Sequence, residues 1–171
     1  QPATTRQRER RSNPETLANV PYDFRLVSTF ALEGDTLHHT LTVENRDSEV
    51  LPFGIGYHPA FAIPFDDKHT AADYELRFDK MESPLCLSCQ PNGLLRGKCY
   101  YLGTNIDRIP VDEKLFEIDS HCMTNLNSST LGLYEKDTGR GVVCSIRDFP
   151  YTLIWSKPGV PKFVCIEPWH S

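Results

Sequence analysis

After residue 20 the pattern of apolar and polar positions is that of β-strands almost throughout, in short runs separated by turns. No stretch of ten or more residues shows the 3.6-residue period of an amphipathic helix. Phe24 to Leu32 reads as a strand, Glu33-Gly34-Asp35 as a turn, and Thr36 to Asn45 as a second strand. In the latter, Leu37, His39, Leu41 and Val43 face one way and His38, Thr40 and Thr42 the other, which predicts a hairpin. Further strands are predicted over Leu51 to Tyr57, Asp73 to Met81, Leu131 to Glu135, Gly141 to Asp148, Tyr151 to Trp155 and Lys162 to Ile166. Asp137-Thr138-Gly139, Phe149-Pro150 and Pro158-Gly159 supply turns between them. Many short strands punctuated by Pro and Gly predict an all-β fold, an antiparallel sandwich or barrel.

Two regions break the pattern. Residues 82–114 are rich in Pro, Gly, Cys and Asn and read as long loops or short irregular strands; loops of that length are often functional. Residues 1–19 are polar, and their Arg6, Arg8, Arg10 and Arg11 lack apolar partners, so a solvated or disordered end is expected there. Residues 20–171 are then expected to form one domain.

Composition narrows the function. The 171 residues are 39% hydrophobic and 24% charged, which is ordinary globular usage. A net charge of −5 gives no basic excess to neutralise phosphates, so nucleic acid is not an expected partner. No apolar run approaches the ~18 residues of a membrane span, so no membrane partner is expected either. Six cysteines are too few for a disulfide scaffold, and reduced thiols in a cytoplasmic protein are expected. Cys144 and Cys165 sit in apolar runs and read as buried thiols. Cys86 and Cys89 form a CxxC, but a zinc site needs a second close ligand pair, and His121-Cys122 would face opposite ways on a strand. No metal or other cofactor is expected.

Two segments could carry chemistry. In Phe53-Gly54-Ile55-Gly56-Tyr57-His58-Pro59-Ala60-Phe61, Pro59 holds His58 extended at the end of a glycine-containing run. In Phe163-Val164-Cys165-Ile166-Glu167-Pro168-Trp169, a carboxylate ends an apolar strand. Apolar neighbours would raise its pKa, which suits a general base near neutral pH. Pattern alone leaves both plainer readings open: His58 satisfied by a backbone group, and Glu167 capping or salt-bridging. Trp155 and Trp169 could offer flat faces to a sugar ring or could belong to the core.

Gly56-Tyr57-His58-Pro59-Ala60-Phe61, followed near the end by Ile166-Glu167-Pro168-Trp169, resembles the aldose 1-epimerase (galactose mutarotase-like) family. Pro21-Tyr22-Asp23-Phe24 and Thr42-Val43-Glu44-Asn45 look like its bacterial branch, whose members often sit near lactose-metabolism genes. The resemblance covers roughly residues 12 to 170. It implies a β-sandwich of the supersandwich type with an aldose in a cleft on one sheet. It also implies interconversion of α and β anomers without cofactor or metal. It makes His58 the general acid and Glu167 the general base, converging with room for a pyranose between them. Asp119, in Leu115-Phe116-Glu117-Ile118-Asp119, is the match for an aspartate that binds sugar hydroxyls. Tyr57, Trp155 and Trp169 complete the expected substrate site.

Full members of that family are considerably longer, mostly at the N-terminus, where an arginine and usually a histidine reach the sugar. Nothing in this chain matches those two, so an incomplete sandwich, a fragment or a natural truncation, is the expectation. Two other functions stay open at this level: a non-catalytic carbohydrate-binding sandwich, and an inactive remnant that folds with a partner. The oligomeric state is not legible.

Overall fold

A computed structural model describes residues 4–89 and 94–171. Residues 1–3 of the polar end and 90–93 of the expected loop region lie outside the described residues. The chain divides into two compact units, Gln1–Phe53 and Gly54–Ser171. The predicted hairpin therefore groups with the N-terminal residues, not with the C-terminal strands.

The first unit is a three-stranded antiparallel sheet in the order β1 (Thr4–Arg11), β2 (Phe24–Glu33), β3 (Thr36–Asn45). β2 and β3 form the predicted hairpin, in register from Phe24↔Asn45 to Glu33↔Thr36. Gly34 turns it at φ +61°, a conformation that glycine adopts without penalty. The expectation of a disordered end is corrected: Thr4–Arg11 is an edge strand paired with β2 from Thr4↔Leu32 to Arg11↔Arg25. Edge pairing runs through the backbone and needs no apolar pattern, and all eight residues of β1 are exposed. Arg25 bridges Glu9 on β1 (2.9 Å) and Glu44 on β3 (2.5 Å). A single turn, α1 (Pro14–Leu17), joins β1 to β2. Pro14 opens it, and Asn13 and Thr16 cap each other's backbone N–H groups.

The second unit is an antiparallel sandwich. Its strands are β4 (Ala60–Ala62), β5 (Tyr74–Glu82), β6 (Leu85–Cys89), β7 (Leu95–Tyr101), β8 (Ile106–Pro110), β9 (His121–Thr124), β10 (Thr130–Glu135), β11 (Gly141–Ser145), β12 (Tyr151–Trp155) and β13 (Phe163–Trp169). Among the described residues they form a four-stranded sheet, β11-β10-β5-β8, and a six-stranded sheet, β4-β13-β12-β9-β6-β7. Leu76, Phe78, Ile109, Leu131 and Leu133 from the first meet Cys86, Met123, Ile154, Val164 and Ile166 from the second in one buried core. This alternation makes the pattern legible: the in-facing residues of β12 and β13 fill the core, and their neighbours line the opposite face. No helix among the described residues is long and apolar enough to cross a membrane.

Two expectations need correction here. Leu51 to Tyr57 is not a strand; only an isolated bridge, Gly56↔Trp169, forms there. Pro52 has no N–H to give a ladder, and the two glycines weaken extended pairing. The long-loop alternative for the Pro/Gly/Cys-rich region 82–114 also fails: the region takes the other expected form, short irregular strands, in β6, β7 and β8. β6 and β7 pair with each other as a local hairpin, β6 also pairs with β9, and β8 pairs with β5.

A charged cluster ties the loop after β4 to the β10–β11 turn. His69 Nδ1 lies 2.6 Å from Asp66, and its Nε2 lies 3.3 Å from Asp137. Arg140 reaches Asp66 (3.0 Å) and Glu135 (2.5 Å), and Tyr74 donates its hydroxyl proton to Glu135 (2.7 Å). Hydrogen bonds from the ring to Asp66 and then to Asp137 raise the His69 pKa above its ordinary value. A raised histidine pKa stabilises the fold below the unfolded value and loses that stabilisation as pH climbs through the folded one. We expect His69→Gln to lower the melting temperature near pH ~5.5 and to leave it almost unchanged near pH ~9. Equal losses at both pH values in thermal melts would show that the charge contributes nothing.

Candidate active site

β13 places Glu167 on the face of the six-stranded sheet that points away from the core. Its cross-strand partner is Leu153, which pairs in turn with Cys122, and Cys122 with Leu87, so one row crosses four strands. On the same face, Trp155 pairs with Cys165 on one side of that row and Tyr151 with Trp169 on the other. Leu153, Cys122 and Cys89 are buried, with Leu87, Tyr151 and Trp169 packed on them. The carboxylate thus stands in an apolar, thiol-rich setting and is only 2% exposed. Burial raises its pKa, to about 7; the His58 charge and the Trp169 indole offset part of that rise.

The segment before β4 brings His58 to the same place. Tyr57 N–H donates to the Pro168 carbonyl (2.9 Å), and His170 N–H to the Ile55 carbonyl (2.9 Å). The Trp169 indole N–H donates to the Tyr57 carbonyl at 3.1 Å. A Cβ on Gly56 would stand 2.6 Å from Trp169 Cδ1, so only glycine lets the indole lie against this backbone. Gly56 is therefore the seat of Trp169, while Gly54 lies against Ser171.

His58 Nε2 lies 3.3 Å from Glu167 Oε1, with the imidazole side chain 57% exposed and the carboxylate beneath it. The two residues converge, but in direct contact and without a gap for a pyranose. A sugar reaching both groups would replace that contact, and the exposed imidazole has the freedom to swing aside. Trp155 stands edge-on to His58 at 6.1 Å and also contacts Phe163 (5.5 Å). Tyr57 packs edge-on against Phe149 at 5.8 Å. A shallow recess of about 250 Å³ is lined by Gly54 to His58, Trp169 and Ser171.

Asp119 lies two residues before β9 (His121–Thr124). It occupies the turn before β9 at φ +84°, and its carboxylate accepts the Ser120 N–H at 2.8 Å. It makes no ion pair with His58. The sequence marks Cys165 only as a buried thiol and Cys122 only as a candidate zinc ligand, and it does not single out Leu153; none of the three is expected beside Glu167. Cys165 was within reach of the sequence, because two residues before Glu167 on a strand means the same face; the other two depend on cross-strand register.

His121 and the two cysteines of the CxxC are placed by packing and hydrogen bonds. His121 is held by the Leu115 carbonyl and by the Tyr100 hydroxyl (2.6 Å). Cys86 faces the core while Cys89 belongs to the cluster on the opposite face, so the CxxC cannot close on one ion. All six cysteines are free.

Comparison with known proteins agrees with the fold and shows the family. Protein LacX of Lactococcus lactis subsp. lactis is 31% identical over 163 residues, covering 93% of this chain and 54% of that protein. The uncharacterized protein YphB of Escherichia coli (strain K12) is 48% identical over 42 residues. A galactose mutarotase-like protein from Lactobacillus casei superposes with a TM-score of 0.85 at 26% identity, covering 96% of this chain and 57% of that one. A galactose mutarotase related enzyme from Lactobacillus acidophilus shares the fold with a TM-score of 0.87. The chain spans about half the length of the curated relatives it matches. The family model for aldose 1-epimerase matches residues 3–171, and the chain belongs to that family.

Proposed function

We propose that the protein is a mutarotase that interconverts the α and β anomers of an aldose, with Glu167 as general base and His58 as general acid. The observation that carries this reading is the 3.3 Å pairing of an exposed imidazole with a buried carboxylate, set between two tryptophans on one sheet face. Glu167 takes the proton of the C1 hydroxyl as protonated His58 gives its proton to the ring oxygen. The C1–O5 bond breaks and the C1 carbonyl forms. Rotation about C1–C2 presents the other carbonyl face, and closure returns both protons. The reaction needs one acid and one base and no redox partner. A carboxylate raised toward neutrality is a stronger base than an ordinary one and is still available at cellular pH. Trp155 and Trp169 offer apolar ring faces to the sugar's C–H surfaces, and Tyr57 flanks the acid. Asp119 would bind hydroxyls only at the far side of a sugar laid across the row.

Polarimetry on freshly dissolved α-glucose and α-galactose tests the reading. Rotation should relax to equilibrium at a rate proportional to protein concentration. Relaxation at the buffer rate for both sugars would leave only a sugar-binding or inactive sandwich.

A further inference from the structure

We propose that Cys165 joins His58 and Glu167 in a three-ligand zinc site, through which zinc occupies the acid–base pair. The ligand atoms of the three residues already lie within 4.8 Å of one another. Cys165 and Glu167 are two apart on β13, so both side chains leave the same face of the sheet, and His58 contacts Glu167 from the exposed side. Tetrahedral zinc with bonds of about 2.0–2.3 Å holds its ligands roughly 3.4–3.8 Å apart, so closure requires a movement of about 1 Å. An imidazole, a thiolate and a carboxylate suit zinc, whereas magnesium and calcium take oxygen. Three protein ligands leave the fourth position to water. As the Zn–S bond forms, the thiol proton passes to solvent. The cation also compensates a carboxylate that is otherwise buried among apolar groups and thiols. Zinc binding stands independently of the mutarotase reading; inhibition by zinc rests on it.

Cobalt and zinc titrations of the purified protein test the site. We expect one equivalent of Co²⁺ to give the near-ultraviolet thiolate-to-cobalt band, and one equivalent of Zn²⁺ to abolish it. Cys165→Ala should remove the band and weaken Zn²⁺ binding by more than the roughly 10–100-fold that losing a hydrogen-bond partner of a ligand costs. Cys165→Ser, which keeps the side-chain volume, replaces it if the alanine variant does not melt cooperatively. An unchanged band in the variant would assign the thiolate to another cysteine, and absence of stoichiometric binding by the wild type would also overturn the proposal. In the polarimetric assay, Zn²⁺ should inhibit and a chelator should restore the rate. Tight binding without inhibition would leave the zinc site standing and remove His58 and Glu167 from catalysis.

Discussion

Replacing Glu167 with glutamine should lower kcat by about 10²–10⁴ while sugar binding persists. Glutamine keeps the shape and hydrogen-bonding reach of the side chain but cannot accept the C1 proton. His58→Asn should cause a loss of the same order, because an amide can donate a hydrogen bond to the ring oxygen but cannot deliver a proton. The two groups act in one step, so the double variant should lose less than the product of the single losses. Stopped-flow polarimetry gives kcat and KM for all four proteins. Near-wild-type turnover by either single variant would remove that residue from the mechanism, and fully multiplicative losses would argue for independent roles.

Gly56→Ala should reduce kcat by about 10² with a cooperative melt retained, because a misplacement near 1 Å is enough to cost that much. A Cβ there would meet Trp169 at Cδ1 (2.6 Å), Cγ (2.8 Å) and Cα (3.1 Å), so either the indole or the 54–58 backbone must move. The hydrogen bonds at stake, Tyr57 to Pro168 and Trp169 to Tyr57, are those that set His58 over Glu167. Gly56 lies outside the named strands, so the sandwich core is untouched. Circular-dichroism melts and kcat measured together separate the outcomes. Unchanged kcat would mean that the segment adapts and the 3.3 Å contact is not held by this seat.

The sandwich is legible in short apolar runs bounded by turns, such as Tyr151–Trp155 and residues 163–166, whose side chains the structure divides between the core (Ile154, Val164 and Ile166) and the opposite face (Leu153, Cys165 and Glu167). The β2–β3 hairpin was readable because its turn glycine sits between two matched alternations. What failed to read was non-local. β1 is polar throughout and is a strand only because β2 pairs with it, and β6 and β8 owe part of their pairing to strands many residues away, β9 and β5. At the site, His58 and Glu167 stood out through their X-Pro settings, but their contact depends on the backbone zipper between residues 55–57 and 168–170, which no periodicity encodes. The same zipper explains why Leu51 to Tyr57 looks like a strand: Gly56 serves Trp169 and Gly54 lies against Ser171, and neither joins a strand ladder. Cys165 reads as a buried thiol and Cys122 as half of an unsuitable ligand pair, because neither segment marks which strand lies beside it. Cross-strand register puts both beside the base, where burial pushes their thiols up to about 12 and about 11.

The central claim is that one buried carboxylate under one exposed imidazole exchanges the anomers of an aldose. Two-dimensional NMR exchange spectroscopy at anomeric equilibrium tests it most directly, because it reads α-to-β exchange without any net change in composition. With wild-type protein and galactose or glucose, cross-peaks between the two C1 protons should grow in proportion to protein concentration. With Glu167→Gln they should fall to the buffer level while saturation transfer from protein to sugar still reports binding. Protein-dependent exchange that survives Glu167→Gln unchanged would contradict the account.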